Sequence, residues 1–153
     1  MSEKKTDELA DALGRTHVSE FRDYLKENGD SMLGEQNSFS SYVKDMIRRN
    51  HLTQQTVFLM ADVPERYGYK LLSGEKRTVQ RDVILRICYA AEMTDAEVQR
   101  ALEKYGMPKL YPKIPRDALL LILFRSRPGS LEDVNEALEK EGFSPLKPCG
   151  SQD

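Results

Sequence analysis

The sequence has little of what most catalytic and metal-binding sites need. It contains two cysteines and two histidines in 153 residues, and no group of His, Cys, Asp and Glu has the spacing typical of a zinc site. It has no Gly-rich phosphate loop, no Gly-x-Ser-x-Gly motif and no histidine placed near a nucleophile. We therefore expect no catalytic residues, no metal and no cofactor, and we do not interpret the chain as an enzyme.

Long apolar runs are also missing. No stretch approaches the roughly 18 apolar residues of a membrane-spanning helix, and no apolar segment follows the N-terminal lysines to make a secretory signal. Cys88 and Cys149 lie far apart in the sequence and are interpreted as reduced, Cys88 as a small core residue. These absences predict a cytoplasmic protein that makes no membrane contact.

The net charge is only −2, but the charge is unevenly distributed. Residues 1–37 carry nine acidic and five basic side chains, whereas residues 40–86 carry nine basic and five acidic ones. Positive charge therefore collects in the middle of the chain, as a phosphate-binding surface would require. A solvated charged surface would produce the same modest excess.

Apolar periodicity predicts an all-α fold in four parts. Residues 1–37 are read as an acidic helical segment, with a helix over about residues 6–27, followed by a linker. This helix either packs on the main domain as a strap or binds a protein partner. The remaining parts are a main domain over residues 38–106, a C-terminal helix pair over residues 107–148 and a disordered tail over residues 149–153.

The main domain is predicted to open with an amphipathic helix. Ser38 to Ser41 offer several N-caps, and Asn50-His51 closes the helix, with His51 interpreted as a surface residue. The apolar positions recur at helical spacing: Phe39, Tyr42, Val43, Met46 and Ile47.

Residues 52–78 predict two short helices joined by a tight turn. Thr53 can cap the first helix, because its hydroxyl can accept from a backbone N–H one turn on. Asp62-Val63-Pro64 breaks that helix, and Pro64 suits the first turn of the next, where its missing N–H costs nothing. Ser73-Gly74 ends the second helix, which is predicted over about residues 64–72. This geometry can lay a second helix in the DNA major groove.

The stretch resembles the helix-turn-helix of the lambda-repressor-like family, also called the xenobiotic-response-element family. The resemblance rests on Leu52-Thr53-Gln54, Val63, Leu71 and a Gly74 followed by basic residues, and it extends over about residues 39–105. It implies a five-helix core. A narrower resemblance is to bacterial helix-turn-helix proteins labelled transcriptional regulators, through these motifs: Arg66, Tyr67-Gly68-Tyr69, Ser73-Gly74, Arg81-Asp82, Leu110-Tyr111-Pro112 and Arg116-Asp117.

The resemblance implies double-stranded DNA as the partner and a recognition helix that carries the contacts. Arg66 suits bidentate recognition of guanine, and Tyr69 either enters the groove or packs against Phe58. Gln54, Lys76 and Arg77 are placed for phosphate contacts, which position the protein without specifying a sequence. The predicted DNA-binding set is Gln54, Glu65, Arg66, Tyr67, Tyr69, Lys70, Lys76 and Arg77.

Three residues depart from the family's usual pattern. Phe58 stands where a small residue is preferred, Asp62 where glycine is preferred, and Gly68 where an aliphatic residue is preferred. We predict that Phe58 fills the space that a side chain at Gly68 would have taken. The departures leave open a second hypothesis, a protein-interaction adaptor that keeps the fold without specific DNA readout. A homodimer is compatible with both hypotheses, since this motif normally binds paired half-sites.

The C-terminal helix pair repeats residues 81–112. Thr94 to Pro112 recurs as Ser130 to Pro148 at an offset of 36, and Arg81-Asp82 recurs as Arg116-Asp117 at an offset of 35. Stacking the two copies is predicted to bury the apolar faces of both, with Ala118 to Phe124 covered on most sides. The Arg-Asp pairs are interpreted as structural, with ligand binding as the alternative.

Overall fold

The computed structural model describes residues 35–149, with side chains from Phe39 onward, and they belong to one compact unit. The helix expected over residues 6–27 and the tail residues 150–153 lie outside this described part. Within it there are helices and no strand, which confirms the all-α prediction. The helices are α1 (Glu35–Arg49), α2 (Gln54–Ala61), α3 (Glu65–Ser73), α4 (Arg81–Ala90), α5 (Asp95–Tyr105), α6 (Pro115–Ser126) and α7 (Leu131–Lys140). None of these described helices is long and apolar enough to cross a membrane.

Helix α1 begins earlier than its cap signals indicated. Residues 35–37 are helical, although we expected them in a linker, and Ser38 to Ser41 lie inside the helix instead of at its start. Glu and Gln are good helix formers and serine is tolerated in a helix interior, so the serines did not fix the boundary. The predicted apolar face is confirmed, because Phe39, Val43, Met46 and Ile47 are buried and Tyr42 packs partly buried beside them.

The C-terminal end of α1 is tied to the end of α4. The Asn50 side-chain amide donates to the backbone carbonyls of Ala91 at 2.8 Å and Glu92 at 3.3 Å. His51 follows with a φ of 58° and an exposed side chain, which confirms its interpretation as a surface residue. These bonds hold the chain direction into α2.

Helices α1 to α5 enclose one apolar core. Helix α1 packs against α3 and α5, while α2 packs against α3 and α4. Phe39 of α1 meets Tyr105 of α5 edge to face, with ring centroids 4.7 Å apart. A capping box starts α5, since Thr94 accepts from the Glu97 amide and Glu97 accepts from the Thr94 amide.

Helix α4 is buried around most of its circumference, and Val83, Ile84, Ile87 and Cys88 form one apolar side of it. Leu85, Arg86 and Tyr89 are buried as well. Burial raises the pKa of the Cys88 thiol to about 12. At neutral pH Cys88 is therefore a protonated core residue, as its sequence context indicated.

The two repeat copies pack as reciprocal partners. Helix α4 packs against α7, and α5 packs against α6. Arg81 binds Asp117 through two hydrogen bonds of 3.2 and 2.6 Å. Arg116 binds Asp82 through two of 3.3 and 3.1 Å. Each arginine thus pairs with the aspartate of the other copy, which gives the Arg-Asp motifs a structural role between the copies.

The loops that end the two copies take part in the same exchange. Arg81 donates to the carbonyls of residues 108 and 109, and Arg116 to those of residues 144 and 145, so each arginine holds the loop of its own copy. Asp117 accepts from the Tyr111 amide and Asp82 from the Lys147 amide, both at 2.9 Å, so each aspartate holds the loop of the other copy. The two copies are therefore related by a pseudo-two-fold axis, since each of these contacts from the first copy to the second has an equivalent from the second copy to the first. In a translational stack, one contact of each kind would have no equivalent.

Equivalent residues also meet where the copies touch. Tyr89 and Phe124 lie 35 positions apart, and their rings contact edge to face at a centroid distance of 5.4 Å. Such pairs contribute about 0.5–1.5 kcal/mol beyond the area they bury. The C-terminal pair shares its apolar core with the rest of the unit, with Leu120, Val134, Leu138 and Leu146 buried in the same cluster.

Helix α6 is less buried than its apolar run predicted. Leu120, Leu123 and Phe124 are buried, but Ile122 is 60% exposed. Its repeat equivalent, Ile87, is fully buried on α4, the helix against which α2 packs. The second copy has no described counterpart of α2, so the corresponding face of α6 is open to solvent.

Candidate nucleic-acid interface

The α2–turn–α3 unit contains most of the predicted DNA-binding residues, and a cap fixes its start. Thr53 has extended backbone angles, and its Oγ1 accepts from the Thr56 amide at 3.1 Å. The same hydroxyl group lies 2.9 Å from the Thr56 hydroxyl. The cap therefore leaves Gln54 as the first helical residue, with a half-buried side chain.

The turn between α2 and α3 is set by a left-handed residue. Asp62 adopts φ 55° and ψ 46°, and its amide donates to the Leu59 carbonyl at 3.1 Å. The Val63 amide donates to the Phe58 carbonyl at 3.0 Å, and the Val63 side chain is buried. Glycine adopts this conformation most readily, while aspartate is among the residues that tolerate it. Asp62 thus occupies a position that glycine would fit with less backbone strain.

Helix α3 begins one residue later than predicted. Pro64, with φ −52° and ψ 131°, is the N-cap and precedes the first helical residue, Glu65. Because its ψ is extended and not helical, Pro64 lies just before the helix as the N-cap and is not its first helical residue. The helix ends at Ser73, and Gly74 follows in the left-handed region at φ 83°, as its C-terminal position indicated.

Phe58 and Gly68 form the predicted volume exchange. A Cβ built on Gly68 would lie 2.5 Å from Cδ1 and 2.6 Å from Cγ of the fully buried Phe58 ring. Tyr69 packs edge to face on the same ring, with centroids 5.1 Å apart. The ring of Phe58 thus fills the space of the missing side chain and supports the next residue of α3.

Tyr69 combines this packing with partial exposure. Its side chain is 41% exposed, and its hydroxyl donates to Glu65 Oε1 at 3.2 Å. Partial desolvation raises the pKa of Tyr69, and the hydrogen bond to Glu65 raises it further. Tyr69 thus packs against Phe58 with its hydroxyl end near the surface, and its predicted entry into the groove stays a prediction.

The two ends of α3 differ in burial. Leu71 and Leu72 anchor its C-terminal half in the core, whereas Glu65 and Arg66 are exposed in its first turn. Tyr67 and Lys70 are partly buried, and Tyr67 packs against the core. The first turn of α3 therefore presents one cation and one carboxylate to solvent.

The two cations of the loop after α3, Lys76 and Arg77, differ in the contacts that their side chains make. The Lys76 side chain is exposed, and its amide donates to the Lys70 carbonyl at 3.1 Å. Arg77 donates to the Tyr105 carbonyl at 2.7 Å, and its guanidinium lies 4.3 Å from the centroid of the Tyr105 ring. These contacts hold the Arg77 side chain on the end of α5, and its predicted phosphate contact stays a prediction. A cation at a helix C-terminus and over an aromatic face is favoured in both respects.

A buried arginine that sequence reasoning missed lies against the turn. Arg86 of α4 is 5% exposed and donates to the carbonyl of Ala61, the last residue of α2, at 3.2 Å. It also donates to the carbonyls of Leu146 at 2.8 Å and Lys147 at 2.7 Å. The signal in the sequence is a single charge inside the apolar run 83–89, since a buried guanidinium must find partners for its donors.

A cavity of about 260 Å³ opens beside the same turn, between the α2–turn–α3 unit and the C-terminal segment. Cys149, the first residue of the tail that was predicted to be disordered, is partly buried and packs against the core. The lining residues are Phe58, Leu59, Asp62, Val63, Pro64, Pro148 and Cys149. The end of the second repeat copy is thus next to the turn.

Two neighbouring apolar side chains of α2 point into solvent. Leu59 is 77% exposed and Met60 is 56% exposed. A single exposed apolar residue is ordinary. Two together beside an exposed turn form an apolar patch at a place where polar residues are usual. A helix of eight residues is too short for apolar periodicity to show which of its apolar residues are buried.

Within residues 35–149 no group of three or more His, Cys, Asp and Glu side chains is arranged to hold a metal ion. Comparison with protein-family models, with curated proteins and with solved structures finds no match to the chain.

Proposed function

We propose that the chain is a DNA-binding transcriptional regulator in which the α2–turn–α3 unit is a lambda-repressor-like helix-turn-helix. Helix α3 is the recognition helix and enters the major groove of double-stranded DNA. The observation that carries the proposal is the polarity of α3, whose first turn is exposed at Arg66 while its last turn is anchored by Leu71 and Leu72. Side chains at the start of a recognition helix are the ones that reach base edges.

The residues of this surface take different roles. Arg66 is the candidate for direct readout, because a guanidinium binds O6 and N7 of guanine together. Gln54 and the exposed Lys76 are candidates for phosphate contacts, which hold the helix in register. Tyr69 supports the helix through Phe58. Arg77 is assigned a positioning role, since it ties the basic loop to Tyr105.

The charge distribution supports this assignment. Residues 40–86 carry nine basic and five acidic side chains in a chain whose net charge is −2. A local positive excess attracts the phosphate backbone and depends on ionic strength. We further propose a cytoplasmic homodimer that binds two half-sites, as is usual for this motif.

Selection from a random duplex pool with the full chain tests the proposal. A regulator enriches one sequence motif, and its affinity for that motif exceeds its affinity for scrambled duplex by about 10³-fold or more at physiological salt. The matched control is Arg66→Ala, which is taken through the same selection. A pool that gains no motif, together with low-salt binding that is indifferent to Arg66, contradicts the regulator function.

The second candidate function is a protein-interaction adaptor that keeps this fold without specific DNA readout. The observation that favours it is the exposure of Leu59 and Met60 beside the turn. An exposed apolar surface is typical of protein interfaces. The double substitution Leu59→Ser with Met60→Ser separates the two functions. It should leave the affinity for a selected duplex within about threefold, since both side chains lie on α2, outside the proposed recognition helix, and neither can donate a hydrogen bond to phosphate.

A further inference from the structure

We infer that Arg86 is a positioning residue: it joins the turn between α2 and α3 to the C-terminal segment, residues 146–149, so that the orientation of α3 depends on the second repeat copy. The effect on DNA binding rests on the proposed function, whereas the effect on the turn rests on the contacts alone.

Arg86 bonds to two separate segments of the chain. Its three donor nitrogens bind three backbone carbonyls, one at the end of α2 and two in the C-terminal segment. A guanidinium presents its donors in a rigid planar fork, so the segments it binds cannot move independently without breaking a hydrogen bond. Because the side chain is 5% exposed, little solvent is available to replace a lost partner.

The bond from Arg86 to α2 lies at the C-terminal end of that helix. The Ala61 carbonyl is the last of α2, and the left-handed residue Asp62 follows directly. Carbonyls at a helix C-terminus lack a partner within the helix and carry a partial negative charge, which favours a cation. The bond from Arg86 therefore holds α2 at the residue from which the chain turns towards α3.

The two repeat copies differ at the position of Arg86. At the offset of 35 that relates α4 to α6, the equivalent of Arg86 is Leu121. The paired residues of the repeat contact, Arg81-Asp82 and Arg116-Asp117, occur in both copies, but an arginine at this position occurs only in the copy that lies against α2. Arg86 thus adds two hydrogen bonds between the copies that have no equivalent in the other direction, and only Arg86 also bonds to α2.

The segment that follows the carbonyls of Leu146 and Lys147 borders the turn between α2 and α3. Residues 146 and 147 continue into Pro148 and Cys149, which line the cavity beside Asp62, Val63 and Pro64. The Lys147 amide is in turn held by Asp82, which Arg116 binds. A continuous series of hydrogen bonds thus connects the second copy, through Arg86, to the turn.

Hydrogen exchange of the full chain tests the positioning of the turn without DNA. The test variant is Arg86→Leu, which installs the residue type of the other copy, and Arg86→Lys is the milder variant that keeps the charge but not the fork. The turn is reported by the amides of Asp62 and Val63, and the reference amides are Val98 in the first turn of α5 and Arg127 at the end of α6. Both variants should accelerate exchange at the turn amides by at least about tenfold more than at the reference amides, as expected when a hydrogen bond to a charged group is lost.

Arg81→Lys is the control, because Arg81 also binds carbonyls and a carboxylate but has no bond to α2. It should accelerate exchange at the turn and reference amides to the same degree. If the Arg86 variants do the same, Arg86 only stabilises the fold and the inference is wrong. Should Arg86→Leu fail to fold, Arg86→Lys gives the same comparison.

DNA binding supplies the second measurement. With a duplex selected by the unchanged protein, Arg86→Lys should reduce the preference for that duplex over a scrambled one by about tenfold or more. The slope of log affinity against log salt should stay the same, since no phosphate contact is removed. Unchanged preference contradicts the coupling to α3. If the unchanged protein selects no duplex but the turn amides still accelerate selectively, the proposed function fails and the positioning role of Arg86 stands.

Discussion

The ring of Phe58 lies where a side chain on Gly68 would be, since a Cβ at residue 68 would be 2.5 Å from Cδ1 of that ring. Phe58 and Gly68 therefore form one exchange of volume between α2 and α3. The glycine costs about 0.5–1 kcal/mol of helix stability relative to alanine. The buried aromatic ring offsets this cost and also supports Tyr69.

Gly68→Leu should destabilise the fold by roughly 1–3 kcal/mol through overpacking against Phe58. Phe58→Ala alone should cost about 3–5 kcal/mol. If the residues are volume partners, the double variant should lose less than the sum of the two, by about 0.5–3 kcal/mol. Urea unfolding of the four proteins measures this coupling. Additive losses would show that the ring does not occupy the space of the side chain.

Asp62 is predicted to be replaceable by glycine but not by a β-branched residue. Its φ of 55° lies in the left-handed region, which costs an ordinary L-residue roughly 1–2 kcal/mol. Asp62→Gly should leave the free energy of unfolding unchanged or raise it slightly, whereas Asp62→Val should lower it by at least that cost. The measurement is thermal and urea unfolding of both variants. Equal stability of the Gly and Val variants would contradict the assigned backbone role.

Local signals in the sequence were sufficient for most helix boundaries. Thr53 and Thr94 act as caps, and Gly74 and Gly106 stop helices, because each depends on hydrogen bonds and backbone angles within a few residues. The exchange between Phe58 and Gly68 was also predicted, because the two residues differ in opposite directions from the pattern of the family that this stretch resembles.

Contacts between distant residues were beyond the sequence. The repeat showed that Arg81 and Arg116 are equivalent, but not that each pairs with the aspartate of the other copy. A repeat period gives the elements and leaves open whether they stack by translation or around a two-fold axis. The bonds of Arg86 span 25 to 61 positions, and no local pattern encodes them. Nor does apolar periodicity tell which face of α6 lacks a covering helix.

The pair of Arg81 and Asp117 should contribute much more stability than an exposed ion pair. Asp117 is 2% exposed and also accepts from the Tyr111 amide, so Asp117→Ala leaves a guanidinium and an amide without their partner. Breaking a buried pair in this way costs about 3–5 kcal/mol, and the partial exposure of Arg81 places the expected loss near the lower end. Urea unfolding provides the measurement.

Asp95→Ala is the matched control, since Arg125, its partner, is 78% exposed. Its loss should stay below about 1 kcal/mol. The hydrogen bond from Arg125 lowers the pKa of Asp95, so the small contribution of this pair is present above the usual aspartate pKa of about 4 and is lost as the pH falls below it. A loss at Asp117 no larger than that at Asp95 would contradict the importance of the reciprocal pairs.

The two isoleucines at equivalent repeat positions should respond differently to truncation. Ile87 is fully buried against the α1–α5 core, so Ile87→Ala should cost about 2–5 kcal/mol. Ile122 is 60% exposed, so Ile122→Ala should cost at most about 0.5 kcal/mol. Unfolding of both variants at several protein concentrations provides the test. A large, concentration-dependent loss for Ile122→Ala would show that a second copy covers α6 in solution.

Arg66 and Lys76 should differ in the kind of DNA binding that each supports. Arg66 lies in the first turn of α3, so Arg66→Ala should cost about 1–3 kcal/mol for the selected duplex and relax its preference at one base pair. Lys76 lies in the loop after α3, where the DNA backbone would pass, so Lys76→Ala should weaken binding to all duplexes and lower the salt slope by about 1.

Affinities for the selected duplex and for its single-base variants, each measured at several salt concentrations, separate the two effects. Lys140→Ala, an exposed lysine in the last turn of α7, is the control for the simple loss of a positive charge. It should change neither the preference nor the salt slope. Since only a side chain at a base edge can alter one position of the selected motif, identical profiles for the Arg66 and Lys76 variants would mean that α3 does not read the groove.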